Sequence, residues 1–406
     1  MHNARMRIAS AAILALSVFA AQTTTPPAQD ATGQAGDAVI LQSLKANAPS
    51  LLLLRGEEQR VAYANIEKLA PVNTIRAGGP VYPLPESPRD FSAFRYERKG
   101  ARQTIDDFMQ QMNVVGLLVI TDGRIVLERY ARGHTANTRW ASMSVAKSVT
   151  SLLYGAAVRD GLIKSLDEPV TTYQPELKGS AYDGVTIRHL LQMSSGVAWS
   201  ERPADPQSDV SQLSRLNAEG GFRAQLAYMA KRPRAAEPGR VFNYNTSETD
   251  LAGAILRGLT GRTLSEYLSE KIWRRFGMQA DGYWLTMQGS DLERAGCCIS
   301  ATLRDYGRIG LFALAGGTSY GSGPRVLPER WLEESTRPSP GSKDYGYFWW
   351  LRPNGRYYAS GSFGQHIEVA AGERTVVAMQ SYWPVAFNRD LIEHNDTFVD
   401  ALIKAR

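Results

Sequence analysis

The chain is poor in cysteine, in histidine and in long apolar runs. Its 406 residues hold two cysteines, and these are neighbours, Cys297 and Cys298. A disulfide prefers Cα atoms about 5.5 Å apart, so adjacent cysteines bridge poorly. Both are therefore expected to be small packing residues, and the fold to rest on its core. A catalytic thiol is the other reading of this pair. The five histidines, at 2, 134, 189, 366 and 394, form no metal-ligand spacing, so no metal and no cofactor is expected. An excess of one sign of charge is lacking as well. The net charge is +6, and the basic residues are scattered instead of striped, which argues against a nucleic-acid partner. No internal repeat is present. The apolar fraction of 43% is enough for a buried core.

The N-terminus carries the one short apolar run of note. Arg5 and Arg7 precede Ile8 to Ala20, and Val18-Phe19-Ala20 fits a small-residue cleavage site before Ala21. The run is shorter than the roughly 20 residues a spanning helix needs. Residues 1–20 are expected to be a signal peptide, with the mature chain secreted or periplasmic after cleavage near Ala20. No cysteine lies beside that site, so no lipid anchor and no stable membrane anchor is expected. Residues 21–37 are rich in Thr, Pro, Gln, Gly and Ala and predict a flexible linker.

Beyond residue 37, Glu57 to Leu69 and Ala101 to Met112 predict helices, with Pro- and Gly-rich loop between them. Val114 to Ile120 and Arg124 to Tyr130 predict strands, joined by a hairpin at Asp122-Gly123. From 145 to about 312 the pattern is mainly helical. Strands return at Tyr347 to Leu351, Tyr357 to Ser360, Glu368 to Ala371 and Thr375 to Ser381, and Asp390 to Ala405 predicts a closing helix. Strands at both ends thus bracket a helical middle. The fold class is α/β of the α+β kind: an antiparallel sheet flanked by helices, with a mainly helical subdomain inserted at about 160–312.

Ser144-Val145-Ala146-Lys147 carries the chemistry. Ser-x-x-Lys occurs by chance about once in 400 residues, so context decides. Apolar residues at 145, 149, 152, 153, 156 and 157 form a helical stripe, and Asp160-Gly161 supplies a stop. Ser144 then falls in the first turn, where Lys147 can reach it. Free N–H groups at a helix N-terminus favour a developing oxyanion. Serine needs a base, and Lys147 can serve once burial or a cationic neighbour lowers its pKa.

Two further elements fit the same chemistry. Phe242-Asn243-Tyr244-Asn245-Thr246-Ser247 follows the turn Glu237-Pro238-Gly239 and precedes the apolar helix Leu251 to Leu259, which Thr246 or Ser247 could cap. Tyr244 on such a loop can point into a cleft; a core position is its alternative. Ala359-Ser360-Gly361-Ser362 offers small residues at a strand edge, where a substrate can approach the backbone. A backbone N–H there could complete an oxyanion hole with that of Ser144. Gly317-Thr318-Ser319-Tyr320-Gly321 matches Gly-x-Ser-x-Gly, but a helix precedes it where a nucleophile elbow needs a strand. His366 is expected to be a surface or supporting histidine.

In this order and spacing the three elements resemble the serine β-lactamase and penicillin-binding superfamily, with its Ser-x-x-Lys, Ser-Asp-Asn and Lys-Thr-Gly motifs. The second motif has the Tyr form of the class C β-lactamases and their esterase and amidase relatives. Val185 to Gly196, Ala301 to Tyr306 and Tyr345 to Trp350 add to the likeness, which runs from about residue 95 to the end. Trp140 to Ser151 and Asn245 to Thr249 are most similar to the 6-aminohexanoate-dimer hydrolase-like branch, and Arg60 to Pro85 resembles its N-terminal extension. The resemblance implies an extension at 38–94 and a hydrolase domain at 95–406. It implies Ser144 as acyl-enzyme nucleophile, Lys147 and Tyr244 as proton carriers, and the N–H groups of Ser144 and Ser362 as oxyanion hole. Ser360, Gly361 and Trp199 are expected to bind substrate. The implied activity is hydrolysis of a small-molecule amide or ester. A β-lactamase or D,D-peptidase, and a silent binding protein of the same fold, are the alternatives.

The motifs also depart from the pattern. Tyr244-Asn245-Thr246 lacks the Asn of Tyr-x-Asn, and Ala359-Ser360-Gly361 lacks the cation of Lys-Thr-Gly. Both argue against efficient β-lactam turnover. After Trp199-Ser200-Glu201 the chain reads Arg202-Pro203-Ala204, where the nylon-oligomer hydrolases are expected to carry a substrate-side Tyr.

Overall fold

The computed structural model describes residues 31–47, 50–203, 205–320 and 323–405. The expected signal peptide lies outside the described residues, as do residues 21–30 of the expected linker. The chain opens with α1 (Ala31–Asn47), α2 (Gly56–Tyr63) and α3 (Ile66–Leu69). Strand β1 (Val72–Ile75), the pair β2 (Tyr96–Arg98) and β3 (Ala101–Gln103), and α4 (Ile105–Gln111) follow. Strands β4 (Val114–Thr121), β5 (Arg124–Tyr130) and β6 (Arg139–Ala141) lead into α5 (Val145–Arg159). The helical middle holds α6 (Val170–Tyr173), α7 (Ile187–Leu191), α8 (Asp209–Ala230), α9 (Thr246–Thr260), α10 (Leu264–Leu268) and α11 (Arg274–Phe276). Then come β7 (Gly282–Leu285), β8 (Ile299–Thr302), α12 (Leu303–Leu314) and α13 (Trp331–Ser335). Strands β9 (Trp350–Leu351), β10 (Tyr357–Gly361), β11 (Gln365–Ala370) and β12 (Thr375–Ser381) lead to the closing helix α14 (Arg389–Lys404).

The larger sheet is antiparallel, with strand order β5-β4-β12-β11-β10-β9. The hairpin strands are thus completed by the C-terminal ones, as the sequence pattern predicts. Strand β4 is buried along its whole length because both faces are covered. Leu118 and Ile120 join the core beneath α5 and α12, while Leu117 and Val119 join the core beneath α4 and α14. The hairpin turns at Asp122 and Gly123, both at positive φ (53° and 73°), which the Asp-Gly pair tolerates. Helix α12 lies close on the sheet. A Cβ on Gly310 would come within 2.5 Å of Val376 Cγ1.

Several local expectations are corrected. Residues 31–37 belong to α1 and not to a linker; Asp37 is paired with Arg60 of α2. The stretch 57–69 is two helices, because Asn65 leaves helical geometry at φ −139°. Residues 101–103 form β3, and the following helix starts only after Thr104, which exchanges capping hydrogen bonds with Asp107. Around Trp350 only two residues pair, since Phe348 at φ 59° breaks the strand before them. The stretch 282–302, read as part of a helical region, contributes β7 and β8 to a second sheet of order β1-β7-β8-β6. These strands are four residues each, too short for a period to register.

The adjacent cysteines are corrected as well. Cys297 and Cys298 are joined as a disulfide between neighbours. The positive φ of Cys298, 110°, folds the backbone so that the two side chains meet. Their sulfurs face Met143 Sδ at 3.8 and 3.6 Å. Among the described residues no helix is long and apolar enough to cross a membrane, and no cluster of three His, Cys, Asp or Glu side chains could hold a metal.

Candidate active site

The second sheet aims Ser144. Strand β6 pairs with β8, with Trp140 opposite Ala301. Just past β6, Ser142 N donates to Ile299 O at 2.7 Å, and Ile299 N donates to Ser142 Oγ at 2.9 Å. Met143 then takes φ 46°, a left-handed turn uncommon for its type, and the chain enters α5. Ser144 sits at the N-cap of that helix, one residue before its first turn, and its side chain makes no cap hydrogen bond. The hydroxyl is left free for other partners.

Lys147 lies three residues along α5 and is 1% exposed. Its ammonium donates to Ser144 Oγ at 3.2 Å, Thr246 Oγ1 at 3.1 Å and Gly296 O at 2.7 Å. Those three acceptors use all three protons. Gly296 is required by this close approach. A Cβ there would lie 2.8 Å from Thr246 Cγ2 and 3.2 Å from Lys147 Nζ. Burial lowers the Lys147 pKa to about 8, with Glu201 and Asp250 opposing the shift and Arg294 adding to it.

Asn245, and neither Thr246 nor Ser247, is the N-cap of α9; its side chain accepts from Ser247 N at 3.0 Å and Glu248 N at 3.3 Å. Extended backbone at Asn245 (φ −142°, ψ 102°) sends Tyr244 and Thr246 to the same side. Both reach the Ser144–Lys147 pair. The Tyr244 hydroxyl faces Ser144, and burial raises its pKa well beyond the ordinary phenol range, with Ser144 opposing the shift. Its ring lies 5.2 Å from Lys147 Nζ and stacks on Trp350 at 5.8 Å.

The third element closes the site. Gly361 ends β10 directly against the loop that leads into Ser144, where a Cβ would fall 2.5 Å from Ser142 O. Ser362 consequently lines the same cavity as Ser144. Neither backbone N–H, of Ser144 or of Ser362, has a backbone acceptor among the described residues. The cavity is about 380 Å³. Its polar lining includes Ser144, Tyr244, Thr246, Glu201, Arg294 and Ser362. Its apolar wall includes Leu44, Leu51, Leu52, Leu54, Ile66 and Leu69, all from the N-terminal segment.

Other expected site residues lie elsewhere. Ser360 and Gly361 line a neighbouring hollow with Trp350, Tyr358 and His366, not the cavity over Ser144. Trp199 does not line that cavity either. It packs with Val210 and Leu213, and its indole N–H donates to Glu201 Oε2 at 2.5 Å. His366 is buried and bonded to Glu368 at 3.0 Å. Ser319 donates to Pro324 O at 2.6 Å and is not among the residues that line the cavity over Ser144.

Three residues at the site were missed by sequence reasoning. Thr246 stands where the Asn of Tyr-x-Asn would, and that spacing was the available signal. Gly296 offers only a backbone carbonyl, which no sequence pattern reveals. Glu201 accepts from Thr246 Oγ1 in a short hydrogen bond and from Thr246 N at 3.1 Å. Burial raises its pKa, against the lowering by Lys147, Thr246 and Trp199.

A serine, a buried lysine and a tyrosine converging between two sheets define a serine hydrolase of the penicillin-binding type in fold and side-chain set. The Beta-lactamase family model matches residues 101–393, and the chain belongs to that family. It is 26% identical over 347 residues to the 6-aminohexanoate-dimer hydrolase of Paenarthrobacter ureafaciens, covering 80% of this chain and 86% of that one. A Bacillus anthracis structure provisionally named for the same activity superposes with a TM-score of 0.74 at 23% identity, over 86% of this chain and 93% of that one. A class C beta-lactamase superposes at 0.53 with 16% identity, over 73% and 94%. The latter two likenesses establish the fold.

Proposed function

We propose that this chain is an exported serine hydrolase that cleaves a small-molecule amide or ester through an acyl-enzyme on Ser144. The observation that carries the reading is the contact of Ser144 Oγ with Lys147 Nζ at 3.2 Å, beside the Tyr244 hydroxyl. A lysine with a pKa of about 8 is in part neutral at pH 7 and can take the serine proton. Ser144 then attacks the carbonyl carbon. The oxyanion lies between the N–H groups of Ser144 and Ser362, which have no competing backbone acceptor among the described residues. Tyr244 handles the proton of the leaving group and then that of the deacylating water. The relative named 6-aminohexanoate-dimer hydrolase supports hydrolysis as the reaction type. The apolar wall from the N-terminal segment favours a substrate with an aliphatic part. Export rests on Arg5, Arg7 and the apolar run to Ala20.

Turnover of β-lactams is the weaker reading, because Ala359-Ser360-Gly361 offers no cation for a carboxylate. Fluorophosphonate labelling with peptide mapping tests the proposal. It is expected to modify Ser144, and Ser144→Ala is expected to be unlabelled. Parallel assays with p-nitrophenyl butyrate, an amino-acid anilide and a chromogenic cephalosporin separate esterase, amidase and β-lactamase. Turnover of the cephalosporin alone would replace the amide or ester reading.

A further inference from the structure

Lys147 presents three donors and Glu201 gathers three, and one hydroxyl belongs to both sets. Lys147 Nζ donates to Thr246 Oγ1 at 3.1 Å, and Thr246 Oγ1 in turn donates to Glu201 Oε1. Thr246 N and Trp199 Nε1 hold the other carboxylate oxygen at 3.1 and 2.5 Å. Glu201 is thereby fixed by two N–H donors whose protons it cannot take, and by one hydroxyl whose proton it can. We propose that Thr246 relays a proton from Lys147 to Glu201, so that Glu201 serves as the internal proton store that makes Lys147 a base. Both act through Lys147 and are positioning residues. The inference rests on Ser144 being the nucleophile.

The transfer balances without solvent. A Lys147 N–H bond breaks as Thr246 Oγ1 gains that proton, and the proton Thr246 already held passes to Glu201 Oε1. Ammonium and carboxylate become amine and carboxylic acid. The freed Nζ lone pair takes the Ser144 proton as Oγ bonds to the carbonyl carbon, and the π pair moves to oxygen. On collapse Tyr244 gives its hydroxyl proton to the departing amine or alcohol and recovers one from Nζ, so that the amine on Lys147 is restored. Burial penalises both charges of the starting pair, which brings the neutral pair within reach. In keeping with this, burial lowers the Lys147 pKa and raises that of Glu201. Asp250 and Arg294 also face Lys147, and Glu248, Tyr244 and Tyr345 face Glu201. All five stay in place in the test.

The test is the acid limb of the acylation rate, read as the p-nitrophenol burst from p-nitrophenyl butyrate by stopped flow. With the relay, the wild-type limb follows Glu201. Thr246→Val and Glu201→Gln strand the lysine proton, and the limb moves alkaline by about one pH unit or more, toward the lysine's own titration. Thr246→Ser returns it toward the wild-type position. Without a relay the wild-type limb is the lysine's own, and Glu201→Gln moves it acid, because the anion that favours the ammonium is gone. An acid shift, or a Thr246→Val limb that stays put, overturns the proposal. Fluorophosphonate labelling of the same preparations separates the two failures. Unlabelled wild-type Ser144 overturns the nucleophile and the relay together; labelled Ser144 with an unmoved limb overturns the relay alone.

Discussion

Burying Lys147 should cost the fold stability that alkaline pH returns. Its pKa falls from 10.5 to about 8 on folding. Between those values the unfolded chain binds more protons than the folded one, so stability rises with pH across that window. At pH 7 the penalty is nearly the full shift, and at pH 10 most of it is gone. The difference between the two is about 2.5 kcal/mol. Lys147→Met removes the titrating group and keeps a similar volume. It also leaves the Gly296 carbonyl without its donor, a cost that does not vary with pH. The assay is therefore a double difference. Urea unfolding of wild type and Lys147→Met, each at pH 7 and pH 10, cancels the groups common to both. The wild type should gain about 2.5 kcal/mol over the variant on going to pH 10. A flat double difference would mean that Lys147 keeps an ordinary pKa, and would remove the physical basis for its acting as a base.

Four further outcomes follow from the geometry. Ser144→Ala should lower p-nitrophenyl butyrate hydrolysis at least about 10³-fold with unfolding unchanged, by steady-state kinetics and urea titration. Tyr244→Phe should lower kcat about 10²-fold, as for loss of a proton-transfer group; full activity would remove Tyr244 from the mechanism. Glu248 is buried with its pKa raised to about 8, so the folded state binds the extra proton and stability falls as pH rises from the ordinary carboxyl range to 8. Wild type should lose on the order of 3 kcal/mol relative to Glu248→Gln between pH 5 and pH 8, by urea unfolding at each pH. Gly310→Leu should destabilise by about 2–3 kcal/mol, because its Cβ would press on Val376 and Ile367 of the sheet.

The features legible in the sequence were those with a local period or a local turn. Strands β4, β5 and β12 and the Asp122-Gly123 hairpin were readable because alternation, length and turn chemistry agreed. The Ser144–Lys147 pair was readable because a three-residue step on a helix fixes contact. The second sheet was not readable, since each of its four strands spans only three or four residues, drawn from three separate regions of the chain. Glu201 and Gly296 stayed hidden for a related reason. Their roles come from folding that brings positions 201 and 296 beside position 147, and neither has a motif of its own. The cysteine pair misled because spacing alone does not reveal the left-handed turn at Cys298. Trp199 was expected at the substrate and instead braces Glu201, because the indole N–H turns toward the carboxylate.

One measurement bears most directly on the central claim. Acid-quenching the protein during turnover of p-nitrophenyl butyrate, followed by peptide mass mapping, traps whatever covalent species forms. The account predicts one butyryl group, on Ser144. Butyryl on another serine, or steady turnover with no acylated peptide at any time after mixing, would contradict it.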